Sequence, residues 1–427
     1  MLCFTSRFLS NSFSQRLICS IQPQRRRAVT LGCAWAAMSC LLGLPLAGRS
    51  AAQSALHDQS ALHDQIEQQM KKFVDAKEIA GAVTVVASRD AVLDTCSVGV
   101  RDIEHKTPMD EHTLFWIASM TKPITGVAVM MLEEQGKLDL DDPVSKYLPE
   151  FKQLKNAEGQ TARVTIKQLM THSAGLSELN AQESAPLKTL AELTALVVQK
   201  PVQFPAGSKW QYSQTGINTA GRIVEVISGQ NFSDFLQQRV FAPLKMSDTA
   251  FYLSQEQAGR LARSYRRTEA GELEVAPLNI LHGQAPTSSD RLPLANGGLF
   301  STASDYTRFC RMLLGGGTLD GQTVLKPASV QRFAQVHSGD LKTGFTPGNA
   351  WGIGCCIVRE PQGVTADLSP GAYGHGGAYG TQAWIDPARD RIYVLMVQRA
   401  NFQNSDASQV RAAFQKAAQG AAQDDGR

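Results

Sequence analysis

The pattern of apolar and polar positions predicts strands near both ends of the chain. Residues 81–87 form an almost continuous apolar run, and a short polar turn separates them from 92–98. Two such runs are typical of a β-hairpin. Apolar or β-branched runs with glycine and proline between them return at 351–358, 381–385 and 391–398. We therefore expect one sheet that is built from both chain ends.

Helical periodicity dominates the segment between these strands. Residues 164–172 and 217–228 repeat apolar positions every three or four residues, as amphipathic helices do. Further helices are predicted at 65–76 and 406–421. The predicted fold class is therefore α/β (α+β): an antiparallel sheet flanked by helices, with an all-helical lobe inserted between its two halves.

The domain organisation follows from the same pattern. No low-complexity linker interrupts residues 66–420, so we predict one catalytic unit over residues 53–427. Its sheet lobe would combine 53–118 with 296–427, and 119–295 would form the mainly helical lobe.

Charge is distributed unevenly along the chain. The whole sequence has 42 basic and 39 acidic residues, but residues 1–52 hold six arginines and no acidic residue. Without those arginines, 36 basic residues face the 39 acidic ones, a balance of −3. A near-neutral body argues against nucleic-acid binding, which requires a clustered basic excess.

Residues 1–52 have the features of an export leader. Three arginines at 25–27 precede an apolar run at 31–47, and small residues follow at 50–52. A charged region, an apolar region and a small-residue exit define a cleavable secretory signal. We expect a periplasmic or secreted protein. The alternative is an uncleaved membrane anchor, although the run is short for a membrane span and contains Pro45.

Four cysteines lie outside this leader: Cys96, Cys310, Cys355 and Cys356. Their spacing matches no disulfide framework, and adjacent cysteines bridge each other only with strain. We expect buried or free thiols.

The strongest candidate for a nucleophile is Ser119. Ser119 and Lys122 form the only Ser-x-x-Lys in the chain, and an apolar helical pattern follows at 124–132. Residues i and i+3 share a helix face, so the lysine amine can reach the serine hydroxyl. A serine needs a base to become a nucleophile, and a desolvated lysine with a lowered pKa can be that base. An N-cap serine followed by a solvated lysine is the alternative.

Two later segments add candidate chemistry. Tyr212, at the start of a predicted helix, is the only tyrosine followed at the second position by an amide side chain, that of Gln214. A phenolate near a lysine is a plausible second base or proton shuttle. Residues 373–380 contain four glycines and His375, and this spacing fits no phosphate or dinucleotide loop. Such glycines indicate backbone that approaches another group closely.

In this order, the three segments resemble the Ser-x-x-Lys, Tyr-x-Asn and Lys-Thr-Gly elements of the serine β-lactamase and penicillin-binding-protein superfamily. The chain is most similar to the class C-like branch, which includes carboxylesterases and D-amino-acid-specific peptidases. Segments 113–115, 169–176 and 296–302 also look like recurring segments of the family, and the resemblance covers about residues 65–400.

The resemblance implies roles for the candidate residues. Ser119 would be acylated, Lys122 would be its base, and Tyr212 would pass protons. The backbone N–H groups of Ser119 and Ala378 would form the oxyanion hole. His375, Gly376 and Gly377 would line the site on a strand, and no metal or cofactor is expected. His172, within a family-like segment, is interpreted as a packing residue.

Two departures from the family pattern bear on the substrate. Gln214 stands where the family has Asn, and His375-Gly376 stands where it has Lys-Thr. Losing a charge-assisted hydrogen bond to a substrate carboxylate costs about 1.5–3 kcal/mol, roughly 10–150-fold. We therefore expect a serine hydrolase of small esters or amides with weak β-lactamase activity at most.

Two alternatives stay open from the sequence. One is a β-lactamase or D-amino-acid peptidase of the same fold, and the other is a non-catalytic sensor or scaffold that binds acyl or peptidoglycan fragments. The absence of a Gly-x-Ser-x-Gly elbow and of His-Glu-x-x-His weighs against α/β-hydrolases and zinc proteases. The expected partner is a small-molecule ester or amide, with membrane contact only through the leader.

Overall fold

An antiparallel sheet of eight strands forms the centre of the fold. The computed structural model describes residues 46–420. The strands in chain order are β1 (Gly81–Ala87), β2 (Val92–Asp102), β3 (Thr107–Pro108), β4 (Phe115–Trp116), β5 (Tyr265–Arg267), β6 (Leu273–Val275), β7 (Phe300–Ser301), β8 (Thr318–Leu319), β9 (Gln322–Thr323), β10 (Asn349–Trp351), β11 (Cys356–Val358), β12 (Tyr373–Gly376), β13 (Gln382–Asp386) and β14 (Arg391–Met396).

The order of strands in the large sheet is β10-β11-β12-β13-β14-β1-β2-β3, and three two-stranded pairs lie outside it (β4–β7, β5–β6 and β8–β9). The two ends of the chain meet where β1 pairs with β14, with Val83 opposite Met396. This confirms the expected sheet built from both chain ends.

Helices cover both faces of the sheet. They are α1 (Leu46–Asp75), α2 (Thr121–Glu134), α3 (Ile166–Met170), α4 (Ala181–Ser184), α5 (Leu190–Val197), α6 (Gln214–Ser228), α7 (Phe232–Leu236), α8 (Gln255–Gly259), α9 (Ala303–Leu314), α10 (Pro327–Phe333) and α11 (Gln409–Gly420). Short 3₁₀ turns lie at Ala118–Met120, Val144–Lys146, Pro149–Gln153, Asn279–Leu281 and Gly363–Thr365, and one π-helical turn at Gln237–Phe241.

Strand β1 shows why the sheet is an internal layer. All seven of its residues are buried. Val83 and Val85 join one hydrophobic core, which includes α2 and α9, whereas Ala82 and Val86 join a second core with α1 and α11. Successive side chains of a strand point to opposite faces, so an unbroken apolar run is buried on both sides. The fold is therefore a sheet between two layers of helix.

Some boundaries differ from the sequence-based expectation. The single strand predicted at 351–358 is a hairpin of β10 and β11, because Gly354 has a φ of +77° and turns the chain. The helix predicted at 65–76 begins at Leu46 and takes in the six-residue tandem repeat 54–65, which contains neither glycine nor proline. The C-terminal helix starts at Gln409 rather than at residue 406.

The predicted export leader falls mainly on residues 1–45, outside the described residues. Among residues 46–420, no helix combines the length and the apolar composition that a membrane crossing requires. The four cysteines beyond the leader (Cys96, Cys310, Cys355 and Cys356) are buried and free, which confirms that expectation.

Close packing of α2 against the β10–β11 hairpin supplies a test of the fold. A Cβ atom at Gly126 would lie 2.1 Å from the backbone oxygen of Ile353. Although Ala favours a helix by about 1 kcal/mol, overpacking a core costs about 1–3 kcal/mol or more. We expect Gly126→Ala to lower the urea midpoint of unfolding.

The matched control is Gly259→Ala at the end of α8, where a Cβ meets nothing within 4 Å. That variant should keep or raise the midpoint. Equal midpoints for the two variants would contradict the close approach of α2 to the hairpin.

Candidate active site

Ser119 is the accessible residue in a buried segment. Every other residue from 113 to 132 is buried, whereas Ser119 is partly exposed. It lies in the 3₁₀ turn Ala118–Met120, directly before α2. The preceding Ala118 has a φ of +45°, a strained conformation for a residue with a Cβ. The fold thus presents one hydroxyl at the start of a buried helix.

The Lys122 amine lies beneath this hydroxyl. Its Nζ is 3.0 Å from Ser119 Oγ, 2.9 Å from Gln214 Oε1 and 2.7 Å from the carbonyl oxygen of Asn296. The Lys122 side chain is fully buried. The sequence-based expectation that the lysine reaches the serine matches this geometry, and the alternative of a solvated lysine does not.

Burial sets the protonation state of this amine. Desolvation lowers the pKa of Lys122 well below its usual value, while the nearby carboxylates of Glu178 and Asp406 act in the opposite direction. A neutral amine has two N–H donors and one lone pair. Because the oxygens of Gln214 and Asn296 only accept, they take both donors. The lone pair then faces Ser119, as a general base requires.

Two distant segments bring the acceptors to the amine. Strands β4 and β7 pair Trp116 with Phe300, and this holds the loop that carries Asn296 against the serine turn. Gln214 is the first residue of α6, and its Oε1 also accepts a hydrogen bond from Asn296 Nδ2 at 2.6 Å. Glu178 accepts hydrogen bonds from the backbone N–H groups of Gln214 and Thr215 at the start of that helix.

Tyr212 faces the same hydroxyl and amine. The centre of its ring is 4.6 Å from Lys122 Nζ. Burial raises the pKa of Tyr212 above its ordinary value, and a polar contact with Ser119 partly opposes this rise. The side chain is therefore a neutral phenol at neutral pH. Burial disfavours the phenolate, which the sequence suggested as one of two roles for this tyrosine. The geometry suits a proton shuttle.

His375 is the hydrogen-bond partner of this phenol. Its Nδ1 lies 2.6 Å from the backbone oxygen of Gly376, so Nδ1 carries the proton and Nε2 is the acceptor. Nε2 is 3.4 Å from the Tyr212 hydroxyl. Burial lowers the pKa of His375 to about 3. The ring is therefore neutral, as the sequence comparison with Lys-Thr-Gly led us to expect.

The end of β12 packs directly against the serine turn. A Cβ atom at Gly377 would lie 2.7 Å from the backbone oxygen of Ile117. Ala378 follows in an exposed turn, and the structure gives its N–H no acceptor among the described residues. The N–H of Ser119 belongs to a first helical turn, where N–H groups lack partners inside the helix. Both are available donors, as the predicted oxyanion hole requires.

Gly376 has a different environment. A Cβ there would lie 1.9 Å from Asp406 Oδ1 and 2.4 Å from Gln382 Nε2. A carboxylate therefore occupies the space where the family's threonine would have its side chain. Sequence reasoning missed Asp406, since it lies 30 residues away along the chain with no motif around it.

Aromatic rings enclose one side of the site. Trp351 lies edge-on to His375 with ring centres 5.6 Å apart, and Phe345 lies edge-on to Tyr212 at 4.9 Å. Phe345 is 49% exposed, which is unusual for so large an apolar side chain. Trp351 is itself buried, so its ring contacts the site from the core.

The structure thus brings five predicted residues into one cluster: Ser119, Lys122, Tyr212, Gln214 and His375. Asn296 and Glu178 were not singled out as site residues. The signal for Asn296 was its place in the family-like segment 296–302. Glu178 offered none, because its role depends on the approach of a loop to a helix start.

An antiparallel sheet flanked by helices, with an accessible serine beside a buried lysine amine and a tyrosine at the same site, characterises a serine hydrolase of the penicillin-binding-protein fold. The sequence profile of the Beta-lactamase family matches residues 66–418 of this chain. The chain therefore belongs to the Beta-lactamase family.

Several known proteins are similar to this chain. Protein Rv1367c of Mycobacterium tuberculosis (strain ATCC 25618 / H37Rv) is 34% identical over 370 residues, which cover 79% of this chain and 90% of that protein. Esterase EstB of Burkholderia gladioli is 28% identical over 352 residues, covering 76% and 87% of the two chains. The solved structure of EstCE1, a hydrolase with promiscuous acyltransferase activity, has a TM-score of 0.73 and 25% identity, covering 85% and 99%.

The buried amine predicts the effect of removing it. Lys122→Met keeps the side-chain volume without a buried charge, so we expect an intact fold. The loss of the general base should lower the rate of acylation about 10²–10⁴-fold. Labelling by a fluorophosphonate probe, followed over time, measures that rate. Ser119→Ala is the control and should abolish labelling, whereas persistent labelling in it would place the nucleophile elsewhere.

The two lowered pKa values predict which group controls the acid limb of the pH profile. His375 has a pKa of about 3 and stays neutral above pH 5. Lys122 must be neutral to act, so activity falls as the pH drops through its pKa. The acid limb of kcat/KM for an ester should therefore stay within about one pH unit in His375→Asn. If the acid limb vanishes in this variant, the ionisation that causes it belongs to His375 instead.

Proposed function

We propose that the protein hydrolyses small carboxylic esters through an acyl-enzyme on Ser119. The observation that carries this proposal is the 3.0 Å contact between Ser119 Oγ and a fully buried Lys122 amine. A neutral amine in contact with an accessible hydroxyl is what nucleophilic catalysis by serine requires.

The proposed chemistry has two halves. In acylation, Lys122 takes the Ser119 proton while Oγ bonds to the ester carbonyl carbon. The carbon–oxygen bond to the alcohol then breaks, the Tyr212 hydroxyl gives its proton to the leaving oxygen, and Tyr212 takes up the proton that Lys122 holds. In deacylation, water gives a proton to Lys122 through Tyr212 as its oxygen bonds to the acyl carbon. The bond from that carbon to Ser119 Oγ then breaks, Oγ takes the proton back from Lys122, and the carboxylic acid is released. The N–H groups of Ser119 and Ala378 would hold the negative oxygen in both halves.

The charges around the site favour neutral substrates. The lysine that the family offers to a substrate carboxylate is replaced by His375, which is neutral because burial lowers its pKa to about 3. Behind it, the carboxylate of Asp406 fills the space beside Gly376. A substrate carboxylate would therefore lose a cationic partner. The apolar ring of Phe345 at the rim favours an apolar acyl or alcohol group.

The names of similar proteins support the same class of substrate. Burkholderia gladioli EstB is called an esterase, and EstCE1 is called a hydrolase with promiscuous acyltransferase activity. These names describe those proteins. For this chain they support ester hydrolysis over β-lactam hydrolysis as the main activity.

A kinetic panel tests the preference. We expect a short-chain p-nitrophenyl ester to exceed a cephalosporin in kcat/KM, because the missing charge-assisted contact costs the cephalosporin about 10–150-fold. Both activities should disappear in Ser119→Ala. A cephalosporin that exceeds the ester in kcat/KM would contradict the argument from His375. A folded wild-type protein that turns over neither substrate and takes no probe would favour the sensor or scaffold alternative.

A further inference from the structure

One buried residue holds the backbone on both sides of Tyr212. The N–H of Gln211 donates to the backbone oxygen of His172 at 2.9 Å. The N–H of Ser213 donates to the Nδ1 atom of the same histidine at 3.1 Å. Both peptides that flank the tyrosine are therefore attached to His172, 40 residues away along the chain.

The His172 ring also packs on the tyrosine itself. The centres of the two rings are 4.5 Å apart with the planes tilted by 41°. On its other side the His172 ring is edge-on to Trp351, with ring centres 4.7 Å apart. The side chain is fully buried. The orientation of the Tyr212 ring is consequently fixed as well as its position, because the His172 ring that it contacts is held in turn by Trp351.

The histidine is held in one chemical form. Nδ1 accepts a hydrogen bond, so the proton is on Nε2. This Nε2 has no polar partner among the described residues and lies within the aromatic cluster of Trp210, Tyr212 and Trp351. Burial lowers the pKa of His172 well below its ordinary value. A neutral ring with no exposed proton is unsuited to transferring protons.

The backbone of His172 is strained. Its φ is +60°, in the left-handed region that residues other than glycine, asparagine and aspartate seldom adopt. Strain of this kind costs about 1–3 kcal/mol and persists where the surroundings enforce it. Here the left-handed turn directs both the backbone oxygen and the ring towards the segment that contains Tyr212.

We propose that His172 is a positioning residue for Tyr212, which it holds with two backbone hydrogen bonds and a tilted ring contact so that the phenol reaches Ser119 and His375. The inference rests on the proposed function, in which Tyr212 delivers a proton. It replaces the interpretation of His172 as a packing residue alone. A displacement of about 1 Å in a catalytic group can cost about 10²-fold in rate.

Two substitutions separate the contacts without adding strain. Glycine and asparagine both tolerate a positive φ. His172→Gly removes the ring and the Nδ1 acceptor, whereas His172→Asn keeps an acceptor oxygen at the position of Nδ1 and loses only the ring. We expect kcat for a p-nitrophenyl ester to fall about 10–100-fold in the Gly variant, with KM within about threefold of the wild type. The Asn variant should stay within about fivefold of the wild type in kcat.

A matched control is available at His282, which also has a positive φ (+46°) but is exposed. His282→Gly should leave kcat and KM unchanged. Circular dichroism and the unfolding midpoint of each variant show whether it is folded. If the Gly variant does not fold, the Asn variant decides. A folded His172→Asn with kcat as low as that of Tyr212→Phe would contradict the positioning role.

A double-mutant cycle distinguishes positioning from general structural support. In a Tyr212→Phe background there is no phenol left to position, so His172→Gly should cost less than about threefold in kcat. If His172→Gly lowers kcat by the same factor in both backgrounds, the positioning role is overturned and the proposed function is not. An unchanged kcat in a folded His172→Gly has the same consequence. A wild-type protein that hydrolyses no ester and shows no probe labelling at Ser119 would overturn the proposed function, and the inference with it.

Discussion

The burial of a single lysine amine organises the whole site. Lys122 is the second residue of α2, and the next ten residues are also buried, so its side chain cannot reach water. A charged ammonium in such surroundings is costly, and the site meets this constraint with a neutral amine and three oxygen partners. One of those oxygens belongs to the nucleophile. The same desolvation that would penalise a charged lysine therefore turns it into a base directed at Ser119.

The titratable side chains next to that amine are neutral as well. Tyr212 lies between two histidines, His375 and His172, and burial keeps both rings uncharged. Backbone hydrogen bonds set opposite tautomers: His375 offers a bare Nε2 to the phenol, whereas His172 uses its Nδ1 to hold the Ser213 N–H. Neutral donors and acceptors avoid the cost of burying isolated charges in a medium of low dielectric constant. Such a site is suited to uncharged esters.

The sheet was largely predictable because its signal is local. Apolar runs such as 81–87 and the run that follows Pro387 at 391–398 indicate strands. The split at 351–358 was missed because a glycine in an apolar run is equally compatible with a strand. Sequence reasoning missed three residues, Asp406, Asn296 and Glu178, for another reason. Each lies against a residue at least 30 positions away in the chain, and the neighbouring sequence does not show which distant residue that is.

The sequence by itself determined the chemistry available to this protein: one serine paired with one lysine at a helical spacing, one tyrosine–amide pair, and a histidine where relatives of the family have lysine. Only the tertiary structure decided how those groups are charged. The pKa of Lys122, Tyr212 or His375 depends on how much water and which partners surround the group, and the chain supplies both from distant segments. The sequence fixes which side chains are present, whereas their protonation states depend on the burial and the partners that the folded structure gives them.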